Sequence, residues 1–289
     1  CPGVTSSASP ASGSTFPVGS TTVTVTATDA SMNTLSCTFT VTVNDTQNPV
    51  AACPMNVTQG NDPNQCNAVV SFMLPASSDN CPGVTSAAVP ASGSTFLVGT
   101  TTVTVTATDA AMNTHTCTFT VTVNDTQNPV AACPMNVTQG NDLNQCNAVV
   151  SFMLPASSDN CPGVTSSASP ASGSTFPVGT TTVTVTATDA AMNTHSCTFT
   201  VTVNDTQNPV AACPANIIQG NDLNQCNAEV SFMLPASSDN CPGVTSAAVP
   251  ASGSTFPVGT TTVTVTATDA SNNTHSCTFT VRVNDTQAP

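Results

Sequence analysis

The chain has 289 residues and is unusually poor in charged side chains. It carries fifteen carboxylates against a single basic residue, Arg282, which gives a net charge of −14, and it has neither Trp nor Tyr. One cation cannot neutralise a phosphate backbone or an anionic lipid surface, so binding to nucleic acid and to charged membranes is excluded. No apolar run reaches eighteen residues, and no membrane insertion is expected. Divalent cations are the charged partners that this composition favours.

An internal repeat organises the whole chain. The string CPGVTS recurs every eighty residues, beginning at Cys1, Cys81, Cys161 and Cys241. This period is too long for a solenoid repeat and suits a small independent β-domain. Polar NDTQNP segments mark the boundaries. We expect half a module at 1–44, whole modules at 45–124, 125–204 and 205–284, and the start of a further linker at 285–289. Because no signal peptide precedes Cys1, which falls inside a repeat, we expect a piece of a longer polypeptide.

The predicted elements of one module are all strands. Residues 50–57 give a weak first strand interrupted by Pro54, and residues 68–74 give a short apolar run that ends at Pro75. Residues 103–109 and 116–124 alternate apolar and polar side chains with period two, as half-buried strands do, and a hairpin joins them. Helical periodicity is absent. The fold class is therefore all-β, with tandem antiparallel β-sandwiches of about seven strands.

The cysteines indicate an oxidising compartment. Fourteen recur at fixed spacing without any CxxC pair, which favours disulfides in an extracellular protein over a zinc site. Each whole module has four, in the first one Cys53, Cys66, Cys81 and Cys117. Four cysteines allow three connectivities, and their spacing does not choose among them.

Several segments of the repeat resemble the hyalin-repeat (HYR) family. In chain order they are DTQNPVAACP, QCNAVVSF, LPASSDNC, GSTFLVGTTTVTVTATDA and CTFTVTVND, and FPVGTTTVTVTATDA at 176–190 followed by CTFTV at 197–201 is close to the family signature. The resemblance implies an immunoglobulin-like β-sandwich of matrix, cell-surface and adhesion proteins, without catalytic activity. One departure is the hairpin turn, where the family has Gly and this chain has Met32, Met112, Met192 and Asn272. If that residue needs φ > 0, Asn tolerates it better than Met.

The resemblance also implies a disulfide pattern. The first and last strands of an immunoglobulin-like sandwich run parallel, and family members with two cysteines have only the equivalents of Cys53 and Cys117, so these two are expected to pair. That leaves Cys66 for Cys81. The predicted bridges are Cys53–Cys117, Cys66–Cys81, Cys133–Cys197, Cys146–Cys161, Cys213–Cys277 and Cys226–Cys241. The alternative pairs Cys53 with Cys81 and Cys66 with Cys117.

Acidic residues at the ends of modules are candidate Ca²⁺ ligands. Asp45, Asp79 and Asp109 lie near Asn side chains, and Ca²⁺ binds sets of oxygen ligands. The alternative interpretation is that these carboxylates accept hydrogen bonds from their own turns. No other cofactor is expected.

The surface has two classes of candidate glycosylation site. Sequons N-x-S/T occur at Asn44, Asn56, Asn124, Asn136, Asn204, Asn272 and Asn284. Glycans would supply the solubility that the low charge does not. Outward Thr rows, such as those within 102–106 and 118–122, could carry O-glycans, or they could be ordinary β-formers that pair across strands.

These patterns predict a non-enzymatic extracellular structural protein, a glycosylated rod or filament of tandem modules that self-associates in a secreted matrix or cell-surface appendage. A cell-adhesion or ligand-binding array, with or without calcium, is the alternative, and ice binding through the Thr rows is a third candidate. His115, His195 and His275 have no neighbouring nucleophile motif and are interpreted as exposed loop residues. No catalytic residue is predicted.

Overall fold

The computed structural model describes residues 3–288, so Cys1 and Pro289, the outer ends of the predicted half-module and final linker segment, lie outside it. Every regular element within the described residues is a β-strand. The chain divides into two compact units, Cys1–Gln127 and Asn128–Pro289. The described fold is therefore all-β.

The first whole module contains six strands in two sheets. They are β4 (Val57–Gly60), β5 (Asn67–Val70), β6 (Thr85–Val89), β7 (Ser94–Leu97), β8 (Gly99–Thr108) and β9 (Thr114–Asn124). The larger sheet has the order β4-β9-β8-β6, in which β4 runs parallel to β9 and the other pairs are antiparallel. Strands β5 and β7 form the second sheet. An isolated bridge between Val50 and Ser78 completes the pairing.

The other two whole modules repeat this arrangement. The second contains β10 (Val137–Gly140), β11 (Asn147–Val150), β12 (Thr165–Ser169), β13 (Ser174–Pro177), β14 (Gly179–Thr188) and β15 (Thr194–Asn204). The third contains β16 (Ile217–Gly220), β17 (Asn227–Val230), β18 (Thr245–Val249), β19 (Ser254–Pro257), β20 (Gly259–Thr268) and β21 (Thr274–Asn284). Their sheet orders match those of the first module strand for strand.

The long hairpin of β8 and β9 supplies most of the core. Val103, Val105 and Ala107 on β8 and Phe119 on β9 are buried, as the period-two pattern predicts. The outward threonines of the two strands are paired opposite each other, and the hydroxyls of Thr100 and Thr122 lie 3.1 Å apart. One face therefore carries the apolar core and the other a row of paired hydroxyls.

Two predicted strands are shorter than the sequence pattern indicates. Strand β5 ends at Val70, because Ser92 Oγ then bonds both the N–H and the C=O of Phe72 in place of a strand partner. Phe72 still packs against Phe119, edge to face, with ring centroids 4.9 Å apart. The region 50–57 forms only the bridge at Val50 before β4 begins at Val57.

Residues 3–44, the described part of the predicted half-module, form one three-stranded sheet. Its strands are β1 (Thr5–Ser9), β2 (Gly19–Thr28) and β3 (Thr34–Val43), in the order β1-β2-β3. Phe39 is 53% exposed, whereas its equivalent Phe119 is 3% exposed.

The turn of the long hairpin places a non-glycine residue in the left-handed region. Asp109 N donates to Asn113 O, so residues 110–112 form a three-residue loop, and its third residue, Met112, has φ 71°. Met32 and Met192 have φ 68° and 71°, and Asn272 has 69°. In this chain, Met therefore adopts the left-handed conformation at the turn position where the family has Gly.

We expect Met112→Asn to stabilise the first whole module by about 1 kcal/mol, because Asn adopts the left-handed conformation more readily than Met. The Met112 side chain is 78% exposed, so its removal leaves no cavity. Asn272→Met is the matched reverse substitution and should lower the stability of the third module by a similar amount. Urea unfolding followed by far-UV circular dichroism measures both. Equal midpoints for all three proteins would contradict the assignment of strain.

Candidate functional site: the junction between modules

The junction between the second and third whole modules lies inside one compact unit and consists of three segments. The linker comprises residues 205–209. The second module contributes the loop at 141–146, and the third contributes residues 239–241. Each segment is fixed by hydrogen bonds to another part of the unit.

The linker is bound to the second module by side-chain amides. Asn141 Oδ1 accepts hydrogen bonds from Thr206 N at 3.0 Å and from Thr206 Oγ1 at 3.2 Å. Gln207 Oε1 accepts from Asn144 N at 2.7 Å. A Cβ on Gly140 would lie 3.2 Å from Thr206 Oγ1, so glycine permits the linker to lie this close. The same contacts fix Thr126 to Asn61 in the first module.

The linker is also bound to the third module. Asn273 Nδ2, at the hairpin turn, donates to Asp205 O at 3.1 Å. Beyond the linker, Val210 N donates to Ser238 O at 2.7 Å, and Ala211 N donates to His275 Nδ1 at 3.2 Å. These residues begin the fold of the third module directly after Pro209, so the linker has little slack.

A disulfide joins the two modules beside the linker. Cys146 in the loop of the second module is bonded to Cys241 of the third, with the Cα atoms 4.8 Å apart. Next to the bridge, Asn240 Nδ2 donates to Gln145 O at 3.0 Å. The modules are therefore connected twice, once through the peptide linker and once through sulfur.

The disulfide pattern differs in part from the predicted one. The structure contains Cys53–Cys117, Cys133–Cys197 and Cys213–Cys277, each linking the start of a module to its last strand. The predicted pairs Cys66–Cys81, Cys146–Cys161 and Cys226–Cys241 are wrong. Cys81 and Cys226 are free thiols, Cys66 and Cys161 are in bridges, and Cys146 is bonded to Cys241.

The physical reason is that the two remaining cysteines of a module lie at opposite ends of the sandwich. In the first module, Cys66 follows the loop in which Asn64 is hydrogen-bonded to Gln127 of the outgoing linker. Cys81 instead lies beside Asp45, where the module begins. The ten-residue strand β8 runs between these ends and spans about 33 Å, whereas bridged Cα atoms are less than about 7 Å apart. The sequence spacing of the two cysteines gave no sign of this separation.

Two of the three predicted calcium ligands lie together, in a cluster that repeats. Ligand atoms of Asp45, Asp79 and Cys81 lie within 4.8 Å of one another, and Asp205, Asp239 and Cys241 form the equivalent set in the third module. A hydrogen bond to the Asp45 carboxylate raises the pKa of the Cys81 thiol. In contrast, Cys241 has no thiol proton because it is in a disulfide.

Asp109, the third predicted ligand, forms a turn instead. Its Oδ1 accepts from Asn113 N at 2.9 Å and its Oδ2 from Asn113 Nδ2 at 2.9 Å. Burial is the largest single influence and would raise the pKa of Asp109, but the hydrogen bonds from Asn113, Ala111 and Met112 together bring that pKa below its ordinary value of 3.8. Both oxygens are used by the hairpin, as the turn interpretation predicts.

The remaining candidate residues lie at the surface. Of the sequon asparagines, Asn284 is half-buried and the others are exposed, namely Asn44, Asn56, Asn124, Asn136, Asn204 and Asn272. The histidines are exposed, but His115 lies on strand β9 and not in a loop. Its Nδ1 accepts from Ala51 N at 3.2 Å, which ties the start of the module to its last strand.

Tandem sandwiches stapled by disulfides within and between modules define an array of extracellular β-domains. The family model described as HYR domain matches residues 4–43, 44–123, 124–203 and 204–283. The chain therefore belongs to the HYR domain family. No helix in the described part of the chain is long and apolar enough to cross a membrane.

Hyalin of Strongylocentrotus purpuratus is 40% identical over 123 residues, which cover 40% of this chain and 10% of that protein. Cadherin ectodomains are among the similar solved structures. The match to protocadherin gamma B2 extracellular cadherin domains 1–5 covers 94% of this chain and 67% of the protocadherin chain, at 14% identity and a TM-score of 0.40. The match to mouse cadherin-23 EC22–24 covers 82% of this chain and 99% of the cadherin-23 chain, at 14% identity and a TM-score of 0.37. The disulfides and the similarity to hyalin indicate an extracellular protein.

We expect the lowered pKa of Asp109 to make the first module sensitive to acid. Because the folded-state pKa lies below the unfolded value, the carboxylate stabilises the module above about pH 4 and this contribution is lost as the pH falls through the lowered pKa. Carboxylate NMR titration should give a midpoint below 3.8 for Asp109, identified by comparison with Asp109→Asn. Asn113→Ala should raise the midpoint. If Asn113→Ala leaves the titration midpoint of Asp109 unchanged, the hydrogen bonds from the Asn113 side chain do not lower that pKa.

Proposed function

We propose that this chain is a non-enzymatic structural protein of an extracellular matrix or cell-surface appendage, built as a stiff rod of HYR modules that self-associates into fibres. The observation that carries this proposal is the Cys146–Cys241 bridge, because it bonds one module to the next. A flexible chain of independent domains needs no bond of this kind.

The hydrogen bonds of the linker support the same function. Linker residues Thr206 and Gln207 are held by Asn141 and Asn144, while Asp205 O is held by Asn273. Bending at the junction would break these contacts as well as strain the disulfide. In other proteins, an exposed linker without contacts lets neighbouring domains move independently. Here the linker residues are held by hydrogen bonds, so little of the linker is free to bend.

Near-identical modules also favour lateral assembly. A contact patch that occurs once per module recurs every eighty residues, so a weak contact between two rods is multiplied along their length. The histidines are used as structural acceptors, as His275 Nδ1 is by Ala211 N, which supports a non-catalytic role. An adhesion or ligand-binding array would use the same scaffold with a partner on its surface.

We expect removal of the intermodule bridge to make the rod flexible. The double variant Cys146→Ser with Cys241→Ser should show a broad distribution of angles between the second and third modules in electron micrographs and a changed maximum dimension in small-angle X-ray scattering. Cys226→Ser is the matched control, since Cys226 is an exposed free thiol and its loss breaks no bridge. Identical angular distributions for the double variant and the control would rule out the stiffening role.

Electron microscopy of native material tests the fibre itself. Continuous rods with additional density on Asn or Thr side chains are the expected result. Isolated flexible monomers with bare surfaces would favour the adhesion-array function instead.

We also propose that the sequon asparagines carry N-glycans. In the second module, Asn136 is exposed and its Oδ1 accepts from Thr200 N at 2.9 Å, while glycosylation modifies the other side-chain atom, Nδ2. The third module provides an internal control. Asn216 makes the same bond to Thr280 N, but Ile218 replaces the sequon Thr.

We expect Ile218→Thr to add one N-glycan in a eukaryotic secretory host, because it completes a sequon at an asparagine whose backbone setting matches that of Asn136. Intact mass before and after enzymatic release of N-glycans gives the count. Thr138→Ile is the reverse substitution and should remove one glycan. No mass change in either variant would show that this position is not glycosylated.

A further inference from the structure

Every methionine of the chain lies at the surface. The chain has eight, and their side chains are between 77% and 89% exposed. Methionine is ordinarily among the residues most often buried, because its thioether side chain is apolar and fills irregular gaps in a core. Packing therefore does not account for these eight residues, which are Met32, Met55, Met73, Met112, Met135, Met153, Met192 and Met233.

The cores of the whole modules are built without methionine. Their buried side chains are those of Val, Ala and Phe, such as Val103, Ala68 and Phe119 in the first module. Among the described residues, no methionine belongs to these cores or packs against them. A chemical change at a methionine sulfur therefore leaves the core contacts in place.

Two of the three methionine positions in the repeat do not need a thioether for folding. Met55 follows Pro54 near the start of the first module, and the third module has an exposed Ala215 at the same position. Met112 stands at the turn of the long hairpin, where the third module has an exposed Asn272. The modules fold alike with either residue, so the side chain at each position is free to change.

The third position is directed outward by its neighbours. Phe72 packs edge to face against Phe119, and Leu74 packs against the same core. Burial alternates along this segment, so Met73 between them faces solvent and is 88% exposed. The equivalent side chains of the other two whole modules are each 89% exposed, namely Met153 and Met233.

We propose that the exposed methionines are surface sulfoxidation sites, at which neutral hydroperoxides are reduced while the modules stay folded. The thioether sulfur attacks one peroxide oxygen, an S–O bond forms, and the O–O bond breaks with its electron pair leaving on the other oxygen. With hydrogen peroxide, the proton of the transferred oxygen passes to the departing hydroxide. Sulfur is oxidised by two electrons, and the products are methionine sulfoxide and water.

The charge of the chain selects the class of oxidant. A net charge of −14 with a single Arg repels anionic oxidants from the surface, whereas an uncharged hydroperoxide is not repelled. A thioether also has no proton to lose before it reacts, unlike a thiol, whose nucleophile is the thiolate. A hydrogen bond to the Asp45 carboxylate raises the pKa of the Cys81 thiol, which makes that thiolate scarcer. An exposed thioether needs no such activation.

The exposed setting also determines what oxidation does to the protein. A sulfoxide is polar, so it disrupts a core when the methionine is buried, but at a solvated position it has no apolar contact to lose. Each methionine consumes one hydroperoxide, and methionine sulfoxide reductases restore the thioether. The capacity of the array therefore grows with the number of modules. These sites involve no residue of the junction, and they stand whether or not the chain forms fibres.

The test is treatment of the full disulfide-bonded chain with excess hydrogen peroxide at neutral pH, after its free thiols have been blocked with N-ethylmaleimide. The intact mass should rise by eight oxygen atoms, one for each methionine. Peptide mapping should show every site reacting within about threefold of the rate of free methionine, because exposure controls the rate. A plateau below eight oxygens, or any site slower than this, would overturn the proposal.

Thermal unfolding tests whether the fold survives. The fully oxidised chain should melt within about 3 °C of the untreated chain, followed by far-UV circular dichroism, because no core contact is lost. A larger fall in melting temperature would show that oxidation damages the modules and would contradict the proposal.

Leu74→Met is the matched buried control. This substitution conserves side-chain volume and is of the kind that cores tolerate, and it places a thioether against the core directly beside Met73. The added methionine should oxidise about fivefold or more slowly than Met73, and its oxidation should lower the melting temperature. Equal rates at the two positions would show that exposure does not select the sites.

Met55→Ala with Met135→Ala tests the stoichiometry in a variant whose folding is assured by the native Ala215. Oxygen uptake by this double variant should be two equivalents lower than that of wild type, with unchanged rates at the other methionines. Unchanged uptake would show that the oxygen is taken up elsewhere and would refute the assignment.

Discussion

The long hairpin formed in the first module by β8 and β9 is the constraint on which the rest of each sandwich depends. Its ten- and eleven-residue strands run the full length of the module and set the distance between the two ends. One face provides the buried valines and Phe119. Its turn, closed by Asp109 and Asn113, lies at the incoming end, where Asn113 Nδ2 donates to Asp45 O at 3.3 Å. The last residues of the hairpin lead into the outgoing linker.

The length of this hairpin separates two functions of the cysteines. The bridge between Cys53 and Cys117 closes the start of the module onto its last strand and stabilises a core with few aromatic side chains. The other two cysteines lie at opposite ends and face neighbouring modules, as Cys146 and Cys241 do. Within one module they are too far apart to bond, whereas Cys146 of the second module is bonded to Cys241 of the third. The same chemistry thus serves the fold in one case and the assembly in the other.

Much of the fold could be predicted because it depends on local patterns. Alternation in 103–109 and 116–124 gave the buried faces. The departure from Gly at the hairpin turn raised the question of a positive φ, and the structure gives φ 71° for Met112. The short second sheet was less predictable, since Ser92 satisfies the backbone of Phe72 and ends the strand early. No local pattern carries that information.

The junction could be predicted only in part. The clustering of Asp45 with Asp79 follows from acidic residues near the module boundary, whereas Asp109 uses both carboxylate oxygens in its own turn. The pairing of Cys146 with Cys241 depends on how the second module packs on the third. The sequence pattern of a single repeat does not determine that packing.

The intermodule bridge has a topological consequence. Residues 146–241 form a covalent ring, closed on one side by the peptide chain and on the other by sulfur. A protease that cuts once inside this ring, in the linker at 205–209 for example, opens the ring but leaves the two modules in one molecule. Severing the array at this point requires both hydrolysis and reduction, two unrelated chemistries that must act at the same junction. An array of modules connected in this way tolerates a first cut at such a junction without losing continuity.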